Sequence, residues 1–214
     1  AYEIPKRDWS SDVCSSDLSS FATLAVANER NVLKLDDTAD LATLAPLGCG
    51  IQTGVGAVLR SLGGKTGESL VVIGAGAVGL SAVMGGVLAG CATIIAVEPQ
   101  EGRRQMALDL GAHHALDGSG DVAAAVRAIL PGGADMVIDT SGYMPATQQT
   151  VNMLANRGRI GLLGVPGSLD ASLSVPILPL LSQGATVRGI VEGDSDPLVF
   201  LPELIAHHRA GRLP

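Results

Sequence analysis

Aromatic side chains are scarce in this sequence: Phe, Trp and Tyr together make up 2% of its 214 residues, with a single Trp. Charged residues are also few, at 16%, whereas hydrophobic residues reach 47%. That apolar content is enough for a buried core and argues against a disordered chain. With so few rings, the interior has to be filled by Ala, Gly and aliphatic side chains, which is typical of small-residue helices packed on strands.

Clusters of basic residues are absent as well. The chain has 14 Lys and Arg against 21 Asp and Glu, a net charge of −7, which argues against a nucleic-acid partner. Its three cysteines have no paired spacing, so no disulfide framework is predicted. No secretory signal is visible at the start of the sequence, and we therefore expect a protein of the reducing cytoplasm.

The first 18 residues lack any apolar period and do not fit the sequence that follows. The run D-W-S-S-D-V-C-S-S-D-L, from Asp8 to Leu18, resembles one reading frame of a common sequencing adapter. We therefore predict that residues 1–18 are an unstructured assembly artefact in which Cys14 has no role. An ordinary flexible N-terminal arm is the alternative.

The segment from Ser69 to Val97 carries no charge and is long enough to cross a membrane. It contains several glycines, however, and each would weaken a helix interior by up to about 1 kcal/mol. Parallel strands buried on both faces also read as continuous apolar runs, and the flanks lack clustered basic or aromatic anchors. We therefore predict a buried core segment and no membrane partner.

The same segment contains a glycine motif, V-V-I-G-A-G-A-V-G, between a β-branched run and an apolar helix. Gly74 permits a tight turn, Gly76 lets a pyrophosphate approach bare backbone, and Gly79 lets the helix lie close to the strand. A second strand-like run ends at Glu98, whose carboxylate can accept hydrogen bonds from a ribose. The pattern predicts a dinucleotide site, with the phosphates at the helix N-terminus.

The acid at the end of the second run also bears on the choice of cofactor. A carboxylate at Glu98 repels the 2′-phosphate of NADP, which favours NAD. Arg103 and Arg104 follow closely, and guanidinium groups bind phosphate well, so NADP remains an alternative.

Strand-like and helix-like segments alternate along the chain, which predicts an α/β fold with a doubly wound parallel sheet. The predicted strands are Phe21–Ala27, Asn31–Leu35, Val71–Ile73, Thr93–Val97, His113–Leu116, Ala134–Ile138, Arg159–Leu163 and Ala185–Val191. The predicted helices are Leu41–Leu44 after the cap Asp40, Cys49 to about Leu62, the segment after Gly79, Glu101–Leu110 before Gly111, Asp121–Leu130, Pro145–Leu154, and Asp196 to about Ala210. Ligands of such sheets bind at the carboxyl ends of the strands.

From Ser19 to Pro214 the sequence resembles the C-terminal part of the zinc-dependent medium-chain alcohol dehydrogenases, in particular the aryl- or benzyl-alcohol branch. The motifs that carry the resemblance are P-L-G-C-G-I-Q-T-G-V-G-A-V, V-I-G-A-G-A-V-G-L-S-A-V, A-T-I-I-A-V-E, L-G-A-H-H, R-G-I-V-E-G-D-S and L-P-E-L-I. The resemblance implies a Rossmann fold and a zinc-assisted hydride transfer between a primary, aromatic alcohol and NAD. It also implies a homo-oligomer, a dimer or a tetramer.

The resemblance further implies roles for individual residues. Cys49 matches one of three protein ligands of a catalytic zinc, Thr53 matches a residue beside the nicotinamide ring, and Arg103 matches a basic contact to the adenosine ribose. Backbone contacts along the nicotinamide half of the cofactor are matched by Thr140, Ser141, Leu163, Gly164 and Val165. The cofactor contacts predicted from the glycine motif and the acid after it are Gly74, Gly76, Ala77, Val78, Gly79 and Glu98. Cys91 is expected in the core, and His113 and His114 in packing or surface roles.

The sequence also departs from that family. The other two catalytic zinc ligands and a four-cysteine structural zinc site belong to an N-terminal domain of which no trace is visible. We therefore expect residues 19–45 to be a remnant of that domain and residues 46–214 to be a C-terminally truncated dinucleotide-binding domain that binds NAD but is inactive alone. A zinc-free quinone or enone reductase and a non-catalytic NAD-binding regulatory module are the alternatives; Cys49 within G-C-G argues against the first.

Overall fold

The computed structural model describes residues 28–29 and 32–214. The chain divides into two units, residues 1–38 and Ala39–Pro214, and the α/β domain lies in the second. The predicted strand Phe21–Ala27 and the predicted artefact of residues 1–18 lie outside the described residues. The expected domain boundary after residue 45 stays a prediction.

The α/β domain is built on one sheet of six strands. The strands are β1 Ser69–Ile73, β2 Thr93–Val97, β3 His114–Leu116, β4 Ala134–Asp139, β5 Leu154–Leu162 and β6 Thr186–Gly189. The helices are α1 Leu41–Leu44, α2 Gly50–Gly56 (extended by a π turn, Ala57–Ser61), α3 Ala77–Ala89, α4 Glu101–Asp109, α5 Val122–Ile129, α6 Met144–Thr147, α7 Ile177–Gln183 and α8 Pro197–Arg209. Single 3₁₀ turns occur at Ala45–Gly48, Thr150–Met153 and Glu192–Asp194.

The strand order is β3-β2-β1-β4-β5-β6, and every pair is parallel. In the centre, Val71 of β1 lies opposite Ile95 of β2 on one side and Val137 of β4 on the other. The order reverses between β1 and β4, which makes this the switch point where ligands of doubly wound sheets bind. The predicted fold class is confirmed.

Helices cover both faces of the sheet, and alternate residues of a strand point to opposite faces. Leu70 and Val72 of β1 belong to a cluster with α2, α3 and Cys91, whereas Val71 and Ile73 belong to a second cluster with α5. The two central strands β1 and β2, buried along almost their whole length, therefore read as nearly continuous apolar runs. Among the described residues no single helix is long and apolar enough to cross a membrane, and one bent pair, Leu41–Gly48 with Gly50–Ser61, could do so by length and composition alone.

Three of the predicted helices begin at an acidic cap. The side chain of Asp40 accepts hydrogen bonds from the amides of Ala42 and Thr43, and those of Asp121 and Asp196 cap α5 and α8 in the same way. A carboxylate at this position satisfies amides that the helix itself leaves unpaired. These helix starts are confirmed.

The predicted helix Pro145–Leu154 is wrong in its second half. Its backbone breaks after Thr147 into the 3₁₀ turn Thr150–Met153, and Leu154 already begins β5. The hydroxyl of Thr150 donates to the carbonyl of Thr147 (2.7 Å), a local hydrogen bond that competes with the helical pattern. β5 is correspondingly longer than the predicted strand Arg159–Leu163.

The predicted strand Asn31–Leu35 is not found in its described part, Val32–Leu35, which is irregular. Among the residues that the structure describes, no strand pairs with this segment, and an extended segment without a ladder partner is marginally stable. The last strand is also shorter than the predicted Ala185–Val191, since Ala185 follows the left-handed Gly184 that ends α7.

Candidate functional site

The glycine turn between β1 and α3 is held by backbone contacts. Gly74 has a φ of +89°, which favours glycine, and its amide donates to the carbonyl of Val97 (2.8 Å). A Cβ on Gly79 would lie 1.9 Å from the carbonyl oxygen of Gly74. Two of the three motif glycines are therefore required by the fold itself, one for the turn and one for the close approach of α3.

Gly76 is a glycine that the protein does not require. Its φ of −74° and ψ of −174° suit any residue, and a Cβ there would meet nothing within 4 Å. Gly76 is the N-cap of α3, and Ala77 and Val78 are the first two residues of that helix. Because glycine has no side chain, it caps none of the first amides of α3. Empty space in front of a bare helix N-terminus fits an anionic group such as a pyrophosphate.

Glu98 follows the carboxyl end of β2 and is 4% exposed. One of its carboxylate oxygens accepts from the amide of Ala75 (2.8 Å) and the other from the amide of Gln100 (3.0 Å). These bonds tie the end of β2 to the glycine turn. Each oxygen keeps a second lone pair, so a ribose hydroxyl can still be bound.

A cavity of about 600 Å³ opens at this edge of the sheet. Predicted site residues that line it are Gly74, Gly76, Glu98, Arg103, Thr140 and Ser141, together with Gln100, Ser119 and Tyr143, which the sequence did not single out. Arg104, by contrast, donates to the carbonyls of Glu98 (2.9 Å) and Pro99 (2.7 Å). Of the two arginines, Arg103 is thus the one at the cavity wall.

Thr140 and Ser141 lie at the carboxyl end of β4, with their hydroxyls used inside the protein. Thr140 Oγ1 donates to the carbonyl of Ile73 (2.9 Å), and Ser141 Oγ donates to Asp139 Oδ1 (2.7 Å). Asp139 is 2% exposed and also accepts from Thr147 Oγ1. This buried carboxylate was missed as a site residue; its signal was an acid at a strand end directly before Thr-Ser.

Leu163, Gly164 and Val165 follow β5, outside the larger cavity. The amides of Leu163 and Gly164 both donate to the carbonyl of Asp139 (2.9 and 3.0 Å), whereas Val165 is 87% exposed. A Cβ on Gly164 would lie 2.0 Å from the amide nitrogen of Gly142. A smaller cavity of about 200 Å³ is lined by Gly164, Gly142 and Asp139, among others. Because the amides of Leu163 and Gly164 already donate within the protein, a cofactor contact with this segment has to be made by its other groups.

Cys49 and Thr53 lie at the N-terminal end of α2, which packs on the first turn of α3. A Cβ on Gly50 would lie 3.7 Å from Ala77 Cβ, and one on Gly54 would lie 2.2 Å from the carbonyl oxygen of Val78. Cys49 and Thr53 are thus next to the helix start that the glycine motif forms, although neither lines the larger cavity. The exposed thiol of Cys49 lies 3.9 Å from the carboxylate of Glu192, which the sequence analysis did not predict as a site residue.

A catalytic zinc needs three protein ligands and one open position. Among the residues described in the structure, no group of three His, Cys, Asp or Glu side chains could hold a metal ion. The described residues therefore do not fit a zinc site by themselves.

Cys91 is buried, and this burial together with nearby carboxylates raises the pKa of its thiol to about 11, which agrees with the predicted core role. His113 Nδ1 accepts from the amide of Ile94 (2.9 Å), a packing role as expected.

The chain is similar to dehydrogenases of known sequence and structure. Residues 77–205 match the family described as zinc-binding dehydrogenase. The geraniol dehydrogenase of Castellaniella defragrans is 45% identical over 198 residues, which are 92% of this chain and 53% of that protein. The chain spans about half the length of the curated relatives that it matches.

Solved structures give the same picture. Benzyl alcohol dehydrogenase from Acinetobacter calcoaceticus has a TM-score of 0.84 at 36% identity, covering 88% of this chain and 52% of that one. A zinc-binding dehydrogenase from Sinorhizobium meliloti, solved bound to NADP, has a TM-score of 0.67 at 26% identity, covering 78% of this chain and 48% of that one.

Proposed function

The chain belongs to the zinc-binding dehydrogenase family, and we propose that it is the NAD-binding part of an alcohol dehydrogenase. The observation that carries the proposal is Gly76. Neither its backbone conformation nor any protein neighbour calls for glycine, yet it faces open space at the N-terminus of α3. Binding of a pyrophosphate would explain the glycine at this position, because any Cβ would lie between the phosphate and the amides of α3.

The proposed cofactor lies across the switch point of the sheet. Its adenosine half occupies the larger cavity, with Glu98 on a ribose hydroxyl and Arg103 at the wall. Its pyrophosphate lies at Gly76, Ala77 and Val78. Its nicotinamide half extends over the ends of β4 to β6, towards Thr140, Ser141 and the Leu163–Val165 segment, and reaches Thr53. NAD, when bound, supplies the acceptor for a hydride from the alcohol carbon.

Preference for NAD over NADP follows from the charge of Glu98. The buried carboxylate meets the 2′ position of the ribose and repels a phosphate there, so we expect NAD to bind at least about tenfold more tightly than NADP. Glu98→Ser removes the charge and should narrow the ratio of the two dissociation constants by roughly tenfold. Calorimetric titration of both cofactors measures the ratio.

Glu101→Gln is the matched control for this experiment. It removes the same charge three residues away, on an exposed side chain of α4 that does not line the cavity. The ratio should stay as in the unsubstituted chain. Tighter binding of NADP than of NAD by the unsubstituted chain would reverse the cofactor assignment, in favour of the cofactor of the Sinorhizobium meliloti relative.

Zinc and substrate are proposed for the complete protein. We propose Cys49 as one ligand of a catalytic zinc whose other ligands lie outside the described residues, and a primary, aromatic alcohol as substrate. This proposal is supported by the match to the zinc-binding dehydrogenase family, by the Gly-Cys-Gly segment at the start of α2, and by the similarity to a benzyl alcohol dehydrogenase structure. A dimer or tetramer and a cytoplasmic location stay predictions.

The chain alone is expected to bind NAD without oxidising alcohols. The reason is that its described residues offer no set of three metal ligands, so the alcohol oxygen has no metal to polarise it. Elemental analysis should find well under one zinc per chain, and NADH absorbance should not rise when benzyl alcohol is added with NAD. One tightly held zinc per chain together with alcohol-dependent NADH formation would contradict the proposed inactivity.

A further inference from the structure

A carboxylate that the cofactor assignment does not use lies beside the start of α2. Glu192 follows β6, and its Oε2 accepts from Gln52 Nε2 (2.8 Å) and from the hydroxyl of Thr53 (3.3 Å). Its Oε1 lies 3.9 Å from the thiol of Cys49. Residues more than 130 positions apart in sequence thus place a half-buried negative charge against the two residues proposed for the reaction centre.

The backbone that carries Glu192 is held in a conformation that fixes the carboxylate in place. Glu192, Gly193 and Asp194 have φ values of +50°, +65° and +48°, a left-handed turn that non-glycine residues rarely adopt. The turn packs against α2 through main chain: a Cβ on Gly193 would lie 2.7 Å from Cα of Gly56. Such strain persists only where the surroundings enforce it, and here it directs the Glu192 side chain towards α2.

The Glu192 carboxylate lies in the half of the domain that contains β4, β5 and β6, on the far side of the switch point from β2. It follows the carboxyl end of β6, and α2 in turn contacts the first turn of α3 at Gly50 and Gly54. A dinucleotide whose phosphates lie at that turn and whose adenosine lies over β2 has its other ring over β4 to β6. The inference below rests on this proposed cofactor position.

We propose that Glu192 makes the site distinguish the two redox states of the nicotinamide ring. The oxidised ring carries a positive charge, whereas the reduced ring is neutral, and a fixed, half-buried carboxylate stabilises only the former. Glu192 therefore raises the affinity for NAD⁺ relative to that for NADH. In the proposed reaction it is a positioning and charge-setting residue, which favours entry of the oxidised cofactor and release of the reduced one.

Glu192→Gln tests the proposal, because glutamine keeps the shape and an acceptor oxygen for Gln52 and Thr53 but removes the charge. We expect the ratio of the dissociation constants for NAD⁺ and NADH to rise roughly tenfold in the variant. ADP-ribose, which lacks the nicotinamide, should bind the variant and the unsubstituted chain equally well, and this also shows that the variant is folded. Titration calorimetry with the three ligands gives all the constants.

Asp194→Asn is the matched control variant. It removes a charge from the same left-handed turn, but Asp194 pairs with Arg188 (2.9 Å) away from Gln52 and Thr53. Its NAD⁺ to NADH ratio should not change. An equal loss of affinity for both cofactors in Glu192→Gln would reveal a purely structural contact and overturn the inference, as would a shift of the ratio in Asp194→Asn.

The outcomes separate this inference from the proposed function. If the unsubstituted chain binds NAD⁺ and ADP-ribose and Glu192→Gln leaves the NAD⁺ to NADH ratio unchanged, the cofactor site stands and the role of Glu192 is refuted. If the unsubstituted chain binds none of the three ligands, the proposed function is refuted and the role of Glu192 with it.

Discussion

Gly79→Ala is expected to lower the free energy of unfolding by about 3 kcal/mol, a large share of the stability of an ordinary domain. The added methyl would lie 1.9 Å from the carbonyl oxygen of Gly74 and 2.9 Å from Thr140 Oγ1. The carbonyl cannot withdraw, because Gly74 is bound to Val97 in a conformation that only glycine adopts readily. The better helix propensity of alanine, up to about 1 kcal/mol, offsets only part of this cost.

Urea denaturation followed by far-UV circular dichroism measures the effect. Gly102→Ala serves as the control, since Gly102 also lies in a helix but a Cβ there meets nothing within 4 Å. That variant should be as stable as the unsubstituted chain or slightly more so. An unchanged urea midpoint for Gly79→Ala would mean that α3 does not approach the turn as closely as described.

Gly76→Ala places the same methyl group three residues earlier, with the opposite result. The chain should fold with a loss of no more than about 1 kcal/mol, the cost of alanine at a helix N-cap. Its affinity for NAD should fall about a hundredfold, because the methyl keeps the pyrophosphate from the amides of α3, and each lost charge-assisted hydrogen bond costs about 1.5–3 kcal/mol. Titration calorimetry and urea denaturation of one preparation give both quantities.

Gly79→Ala and Gly76→Ala together separate an effect on folding from an effect on NAD binding. Gly102→Ala, whose methyl lies on α4 and not on the cavity lining, should bind NAD as the unsubstituted chain does. Undiminished NAD affinity in Gly76→Ala would show that the pyrophosphate does not approach this glycine. The function proposed for the chain would then lose its main support.

The parts of this fold that the sequence predicts are those with a local cause. An apolar run that breaks at glycines, and an acid after the next run, identified β1, the turn, β2 and Glu98, because each signal lies within one segment. The acidic caps Asp40 and Asp121 are equally local. Gly74, Glu98 and Thr140 follow the carboxyl ends of three strands and line one cavity, as the position of ligands in such sheets predicts, whereas Arg103 was expected from the resemblance alone.

The parts that the sequence did not predict depend on contacts between distant segments. Nothing around Glu192 indicates that its carboxylate binds Gln52 and Thr53. Asp139 had a local signal, as an acid at a strand end directly before Thr-Ser, but that signal does not indicate its hydrogen bond with Thr147. The break after Thr147 has a more local cause: helix propensity over Pro145–Leu154 gives way to the hydrogen bonds of Thr147 with Asp139 and of Thr150 with the carbonyl of Thr147. Propensity is a weak prior wherever side-chain hydrogen bonds compete with the helix.

The glycines on the two sides of α2 have a consequence for how this protein can be altered by evolution or in the laboratory. Gly54 lies against the main chain of α3 at Val78 and Ala82, and Gly56 lies against the main chain at Gly193. A larger residue at either position has no neighbouring side chain that a second substitution could shorten enough to restore the fit. We therefore expect few second-site suppressors around α2, so that changes in selectivity have to come from residues such as Glu98 and Glu192, whose side chains can vary while the backbone stays in place.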